Sequence, residues 1–315
     1  MKGILINPHE ETITEVEYSG NYKEIYSLID CRTFDIATIY ETQDLYLDDE
    51  GLLLDNQRYF SINDRTFGGK GLFSKSIEIE LLNNKIDIAV HALKDMPSEE
   101  TEGLLTNCFL KRNDPREILI SKNNKNLKDL KLNSVIGTSS FRREFQIKKI
   151  RSDFQCKLIR GNIDTRLRKL DENLYDAIIL SYAGINSLGL NKSITQTFST
   201  SEIIPCAGQG VIALQCRDND NELIRLLELV NHKKTYDCIK AERSVLKILE
   251  GDCETAVGAF ANIEEGKITL EVELFSLDGK NRFYLKSSKG IEEAEELGIE
   301  IGSALKKQSN NSYKK

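Results

Sequence analysis

The side chains best placed to do chemistry lie between Val135 and Lys169, in VIGTSSFRREFQIKKIRSDFQCKLIRGNIDTRLRK. Arg142, Arg143, Lys148, Lys149, Arg151, Lys157, Arg160, Arg166, Arg168 and Lys169 face only Glu144, Asp153 and Asp164 in a chain whose formal charge is -7. Such a local reversal of sign fits a grip on something anionic. The layout sharpens this. Val135-Ile-Gly137 reads as the end of a buried strand, and Thr138, Ser139 and Ser140 then offer hydroxyls and free backbone N–H groups at a helix start. A helix start carries partial positive charge and takes carboxylate or phosphate. Arg142 and Arg143 follow in the first turn, where the helix dipole favours acids, so their placement needs another reason. Lys157-Leu-Ile159 reads as a second short strand, with Arg160-Gly161-Asn162 leading into a helix that carries Arg166 one turn in. Two strand-to-helix turns thus present anion-binding groups at one edge of an α/β sheet, where such folds keep ligands. A solvated basic face is the bland alternative; clustering at turns rather than along one stripe argues against it.

Three further places hold candidate groups. Ile86–Val90 reads as a strand, and His91-Ala-Leu-Lys94-Asp95-Met-Pro97 follows it, a plausible active-site loop although a Lys-Asp neighbour pair is usually plain surface. Gly68-Gly-Lys-Gly-Leu-Phe73 is a flexible glycine-rich loop without P-loop or dinucleotide spacing. Cys253 sits in an exposed-looking polar loop after an amphipathic helix over 234–250, and taken alone it is an ordinary surface thiol.

The elements that must position these groups follow from pattern. At 315 residues the chain has room for two or three domains. No apolar run is long enough to span a bilayer, and the N-terminus lacks the signal-peptide pattern. Seven widely spaced cysteines without CxxC argue for a reducing cytoplasm and against a disulfide framework, and three scattered histidines against a metal site. Residues 1–66 read as short strands and turns with one helical stretch, and hold no catalytic constellation. Strands at 104–110, 116–121 and 175–180 alternate with helices, and 202–217 suits a crossover back to an earlier domain. Residues 256–261, 267–275 and 282–287 alternate as antiparallel strands, with a hairpin turn at Asp278-Gly279 and a covering helix over 291–307. The polar tail from Gln308 is expected to be disordered. The fold class expected is α/β: two α/β units plus a small α+β unit at the C-terminus.

Eight motifs, GGKGLFSK, DIAVHALKDMP, KRNDPRE, IGTSSFRRE, LIRGNIDTRLRKLDENLYDAIILSYAGINSLGL, PCAGQGVIALQCR, AERSVLKILEGDCE and VGAFA, occur in the order and spacing of the hydroxymethylbilane synthase (porphobilinogen deaminase) family. The chain resembles that family over roughly residues 67–305. The resemblance implies two α/β domains like type 2 periplasmic binding proteins, from 1–110 with 206–228 and from 111–205, and a third domain, 229–315, bearing the cofactor. It implies a dipyrromethane cofactor joined to Cys253 by a thioether, and Asp95 as the catalytic residue. Lys94, Asp95, Thr138, Ser139, Ser140, Arg142, Arg143, Arg160, Gly161 and Arg166 would bind the cofactor. Phe73, Arg160, Arg166 and Gln209 would bind substrate. The implied reaction is head-to-tail condensation of four porphobilinogens with loss of ammonia, then hydrolytic release of 1-hydroxymethylbilane, a transferase step of tetrapyrrole and haem biosynthesis.

The chemistry of the residues agrees with this. Each pyrrole carries an acetate and a propionate, which arginine forks suit. Loss of ammonia leaves a cationic azafulvene that a fixed carboxylate stabilises, and a thiolate is a soft nucleophile able to trap one. The resemblance implies a cytoplasmic monomer with porphobilinogen as its partner and no nucleic acid, membrane or metal. Residues 1–66 depart from the family's Arg-x-Ser-Pro-Leu opening. Asp252 stands where the family has glycine, Ala92 where it usually has serine, and Ser187 where it often has a basic residue. The competing expectations are a pyrrole- or anion-binding homologue impaired in catalysis, and, more remotely, a nucleic-acid binder.

Overall fold

A computed structural model gives side chains at 77–251 and 255–314 and, before residue 77, only the backbone of regular elements. Residues Met1–Ile79 and Glu80–Lys315 form two compact units. In the first, the strands β1 (Lys2–Asn7), β2 (Thr12–Glu17), β3 (Phe34–Tyr40), β4 (Gln43–Asp48), β5 (Phe60–Ile62) and β6 (Arg65–Phe67) pair in sequence as three antiparallel two-stranded sheets. Helix α1 (Leu72–Leu82) follows.

The second unit contains three sheets. In the first, β7 (Ala89–Ala92) and β8 (Leu104–Phe109) flank a strand from far along the chain, Ile212–Arg217, and both pair with it antiparallel. Strand β7 begins later than the periodicity predicts because Arg217 grips the residues before it, donating Nη1 to Ile86 O (2.7 Å) and pairing Nη2 with Asp87 (2.6 Å).

The second sheet is built from β9 (Glu117–Ser121), β10 (Val135–Gly137), β11 (Gln155–Lys157), β12 (Ala177–Ser181) and β13 (Gln196–Thr197), in the order β11-β10-β12-β9-β13. Helix α2 (Phe141–Ile150) and helix α3 (Ile163–Asp171) connect its parallel members, as parallel pairing requires. Strands β9 and β12 are apolar without alternation because both faces of the sheet are covered. Leu119 and Ile179 enter one core with Ile147, and Ile118, Ile120 and Ile178 enter the other with Ile159. Helix α4 (Tyr182–Ser187) continues from β12.

After β14 (Ile212–Arg217) come helices α5 (Asn221–Val230) and α6 (Lys233–Leu249). The third sheet, β15 (Val257–Glu264), β16 (Lys267–Phe275) and β17 (Arg282–Gly290), is an antiparallel meander. Its alternation buries Ile268, Leu270, Val272 and Leu274 against α6 and α7 (Ala294–Ser309). The expected classes are therefore the observed ones: mixed α/β sheets and a small C-terminal sheet with helices.

The expected disorder after Gln308 is not found. Helix α7 continues to Ser309, and Tyr313, only 2% exposed, joins the third core. Its hydroxyl donates to Leu249 O at 3.1 Å, and Lys314 pairs with Glu250 at 2.6 Å. A polar composition concealed one aromatic anchor.

Candidate active site

The turns after β10 and β11 carry Thr138–Ser140, Arg142, Arg143, Arg160 and Arg166, whereas Lys148, Lys149 and Arg151 of the basic stretch lie at the far end of α2, paired with Glu144, Glu273 and Asp153. Strand β10 runs parallel to β11 on one side and β12 on the other, and Thr138 N prolongs the first pairing by donating to Lys157 O at 3.0 Å. Thr138 is buried, and its Oγ1 accepts from Ser140 N at 3.2 Å. Ser140 caps α2, its Oγ accepting from Arg143 N at 3.4 Å. Ser139 stays exposed between them. The turn after β11 is built differently. Gly161 has φ +101°, and a Cβ there would lie 2.6 Å from the Thr165 side chain, so both conformation and space demand glycine. Asn162 caps α3 through Thr165 N at 2.9 Å. Arg166 folds its Nε back onto Gly161 O at 2.7 Å, and Lys169 Nζ donates to Arg160 O at 3.2 Å, leaving Arg160 half-buried at the rim.

Arg142 and Arg143 are not splayed to solvent. Both are buried against Glu117, which opens β9 opposite Ser181 and is 0% exposed. Arg142 Nη2 meets Glu117 Oε1 at 2.7 Å and Arg143 Nη2 meets Oε2 at 2.9 Å. Burial alone would raise the Glu117 carboxyl, but the two guanidinium groups hold it down at about 2. Arg142 also donates Nη1 to Ile204 O at 2.9 Å. Arg143 Nε is buried without an acceptor among the described residues, so one donor of this pair awaits a partner. Glu117 is a buried charged group beside these arginines that sequence reasoning missed. Its signal, a lone acid opening the otherwise apolar EILIS, becomes legible only once topology sets β9 beside β12.

Asp95 and Lys94 lie in a 3-10 turn directly after β7. Leu93, buried, donates its N–H to Val211 O at 3.0 Å, and Arg243 of α6 donates Nη2 to Pro97 O at 2.7 Å, so the turn is tied at both ends. Asp95 is exposed and Lys94 half-exposed, and neither side chain has a hydrogen bond or ion pair among the described residues. His91 points elsewhere: it is buried and bonded through Nε2 to Gln215 Oε1 at 3.1 Å.

Gln209, expected on substrate, is 0% exposed. Its amide donates to Pro115 O at 2.6 Å, and its Oε1 accepts from Cys206 Sγ at 3.4 Å, so it braces the crossover turn. Cys253 lies outside the described residues, as does the side chain of Phe73, whose backbone is in the first turn of α1. Helix α6 leads to Cys253: the same helix that holds the Asp95 turn through Arg243 ends at Leu249, four positions before it.

Two capped helix starts with guanidinium groups beside both are groups that suit anions, and Asp95, on another sheet, is a carboxylate with no partner among the described residues. Comparison with known sequences agrees. Residues 55–225 match the profile described as "Porphobilinogen deaminase, dipyromethane cofactor binding domain", and residues 236–307 match "Porphobilinogen deaminase, C-terminal domain". A porphobilinogen deaminase of Bacillus cereus (strain B4264) is 44% identical over 243 residues, covering 76% of this chain and 78% of that one. One from Chlorobium phaeobacteroides (strain BS1) is 39% identical over 248 residues, 78% and 79% of the two chains. Among solved structures, the periplasmic sulfonate-binding protein SsuA of Methylobacillus flagellatus KT is 13% identical over 64% of each chain with a TM-score of 0.34, a likeness too weak to carry argument.

Proposed function

Because the chain belongs to the porphobilinogen deaminase family, we propose that its two groups of site residues divide that family's work between gripping carboxylates and stabilising a transient cation. The activity is that of a hydroxymethylbilane synthase, a transferase that condenses porphobilinogen units with loss of ammonia in tetrapyrrole biosynthesis, and its cofactor is a dipyrromethane.

The observation that carries the residue assignment is the pair of strand-to-helix turns with Thr138–Ser140 and Arg160–Arg166 on adjacent parallel strands. The residues fit an anionic group. The Glu117, Arg142 and Arg143 cluster keeps one positive charge in excess, a buried Arg143 Nε lacks an acceptor among the described residues, and Ser139, three positions before Arg142, is exposed. Cys253 would hold the cofactor covalently, with Lys94, Asp95, Thr138, Ser139, Ser140, Arg142, Arg143, Arg160, Gly161 and Arg166 about its carboxylates and ring nitrogens. When bound, the cofactor supplies the free pyrrole carbon onto which units are added.

Each addition breaks the aminomethyl C–N bond of one porphobilinogen, forms a C–C bond and replaces a ring proton, so that ammonium leaves. Asp95 stabilises the cation left at the departing amine and receives the ring proton. Arg160 and Arg166 orient the incoming acetate and propionate. Gln209 acts through the crossover turn and does not touch substrate. Among the described residues no helix is long and apolar enough to cross a membrane; the partner is porphobilinogen, and the working form is a cytoplasmic monomer without nucleic acid.

Intact-mass measurement tests this. Protein from a haem-competent host should carry two pyrrole units, lost in Cys253→Ala, and should gain stepwise adducts with porphobilinogen. An unmodified Cys253 that stays unmodified would overturn the assignment.

A further inference from the structure

We propose that Glu117 is a positioning residue: an internal carboxylate that aims the Arg142 and Arg143 guanidinium groups and fixes how much positive charge they offer to ligand carboxylates. This rests on the reading above that these arginines serve cofactor and substrate. The geometry has three parts. First, Glu117 is completely buried between the two arginines: Oε1 accepts a hydrogen bond from Arg142 Nη2 at 2.7 Å, and Oε2 forms an ion pair with Arg143 Nη2 at 2.9 Å, so one carboxylate holds both forks. Second, the arginines are consecutive at the start of α2, where like charges repel and the helix dipole opposes them; a shared anion on the neighbouring strand is what lets both remain buried. Third, the remaining donors differ. Arg142 is committed further to Ile204 O at 2.9 Å, whereas Arg143 reaches Ile179 O only at 3.5 Å and keeps a buried Nε without an acceptor among the described residues. Arg143 is therefore the less firmly committed of the two arms, and Arg142 the more firmly braced.

A neutral side chain of the same shape cannot do this. Glutamine would present one acceptor and one N–H₂ to two donor groups, so one guanidinium would lose its partner and turn. Its freed charge would draw a ligand carboxylate into the place of Glu117, out of register with the reacting carbon.

Two variants of the full-length protein separate charge from packing. Glu117→Gln keeps volume and loses charge; Glu117→Asp keeps charge and loses a methylene. The readouts are the intact mass at Cys253 and the KM and kcat for porphobilinogen. The expected order is KM lowest in the wild type, about threefold higher in Asp and about tenfold or more higher in Gln, with kcat changed much less. A loaded Gln variant with wild-type KM overturns the proposal, as does an Asp variant impaired as much as Gln, since packing would then suffice. Should the Gln variant not accumulate, the Asp variant decides: a raised KM with kcat kept supports the role, and an unchanged KM removes it. Wild-type protein without the adduct at Cys253 would instead sink the underlying functional reading, an outcome visible before either variant is made.

Discussion

Asp95 and Glu117 are both carboxylates, and their surroundings give them opposite work. Glu117 is buried and paired with two arginines, while Asp95 is exposed on a tied turn with no partner among the described residues. A carboxylate whose charge is uncommitted is the one able to meet charge that appears during a reaction. Asp95→Asn should therefore leave the adduct at Cys253 and the Tm in place while lowering kcat by about 10²–10³; near-normal ammonia release would contradict the role. Glu117 should show in stability against pH. Its folded value of about 2 lies below the ordinary 4.5, so its contribution is present in full above 4.5 and disappears as pH falls toward 2. That contribution is roughly 3 kcal/mol. In urea unfolding, wild type should exceed Glu117→Gln at pH 6 and lose most of that margin near pH 3. At this scale the cations were legible because ten of them reverse the local sign, whereas Asp95, in a turn just after a strand, was singled out only by the family resemblance. Glu117 was not, because the strand that carries it meets Arg142 only through pairing with β12. Gln209 entered the expected site only through the family resemblance, and its amide is taken by the backbone it braces.

Elements show how the groups are held. Helix α6 is the main support: Arg243 secures the Asp95 turn, and its C-terminus leads into the segment containing Cys253. The end of that helix is fastened by the chain terminus, through Tyr313 Oη to Leu249 O, Lys306 Nζ to Ile248 O at 3.1 Å, and Lys306 and Lys314 on Glu250. The surface ion pairs are worth little singly; the buried tyrosine is the anchor. Tyr313→Phe should cost about 1 kcal/mol, the lost hydrogen bond, and Tyr313→Ala about 3–5 kcal/mol by cavity. Thermal unfolding should order wild type, Phe and Ala accordingly, and equal Tm values would show the tail to be idle. The alternation in β15 to β17 made this unit readable in advance. Its final turn was not, because one aromatic among polar neighbours carries no periodicity.

The largest scale is set by the crossover from Ile203 to Val211, which touches every sheet of the second unit. Ile204 has its N–H and C=O taken by Gln146 of α2, at 2.6 and 3.0 Å, and Pro205 O accepts from Ala259 N of β15 at 2.9 Å. Gly258 permits that approach, since a Cβ there would lie 2.8 Å from Ile204 O. Beyond it stands Glu242 of α6, fully buried, which takes both Nη atoms of Arg112 at 2.6 and 2.9 Å, Gly208 N at 2.8 Å and Ala261 N at 2.8 Å. One carboxylate thus joins the end of β8, the crossover turn and the third sheet. No local pattern announces it, because its partners come from three separate stretches of chain. Glu242→Gln keeps the shape but strands the buried Arg112 charge and leaves at least one backbone N–H without an acceptor. A loss of about 3–5 kcal/mol is expected. Arg112→Gln strands the fully buried Glu242 charge in turn, with only the two backbone donors left on it, so it should also be costly, and in the double variant the costs should fall short of additive because neither charge is left stranded. Urea unfolding of the four proteins measures this directly. Strict additivity, or a Glu242→Gln midpoint equal to the wild type, would mean that the three sheets are held together by apolar packing and that this carboxylate joins nothing.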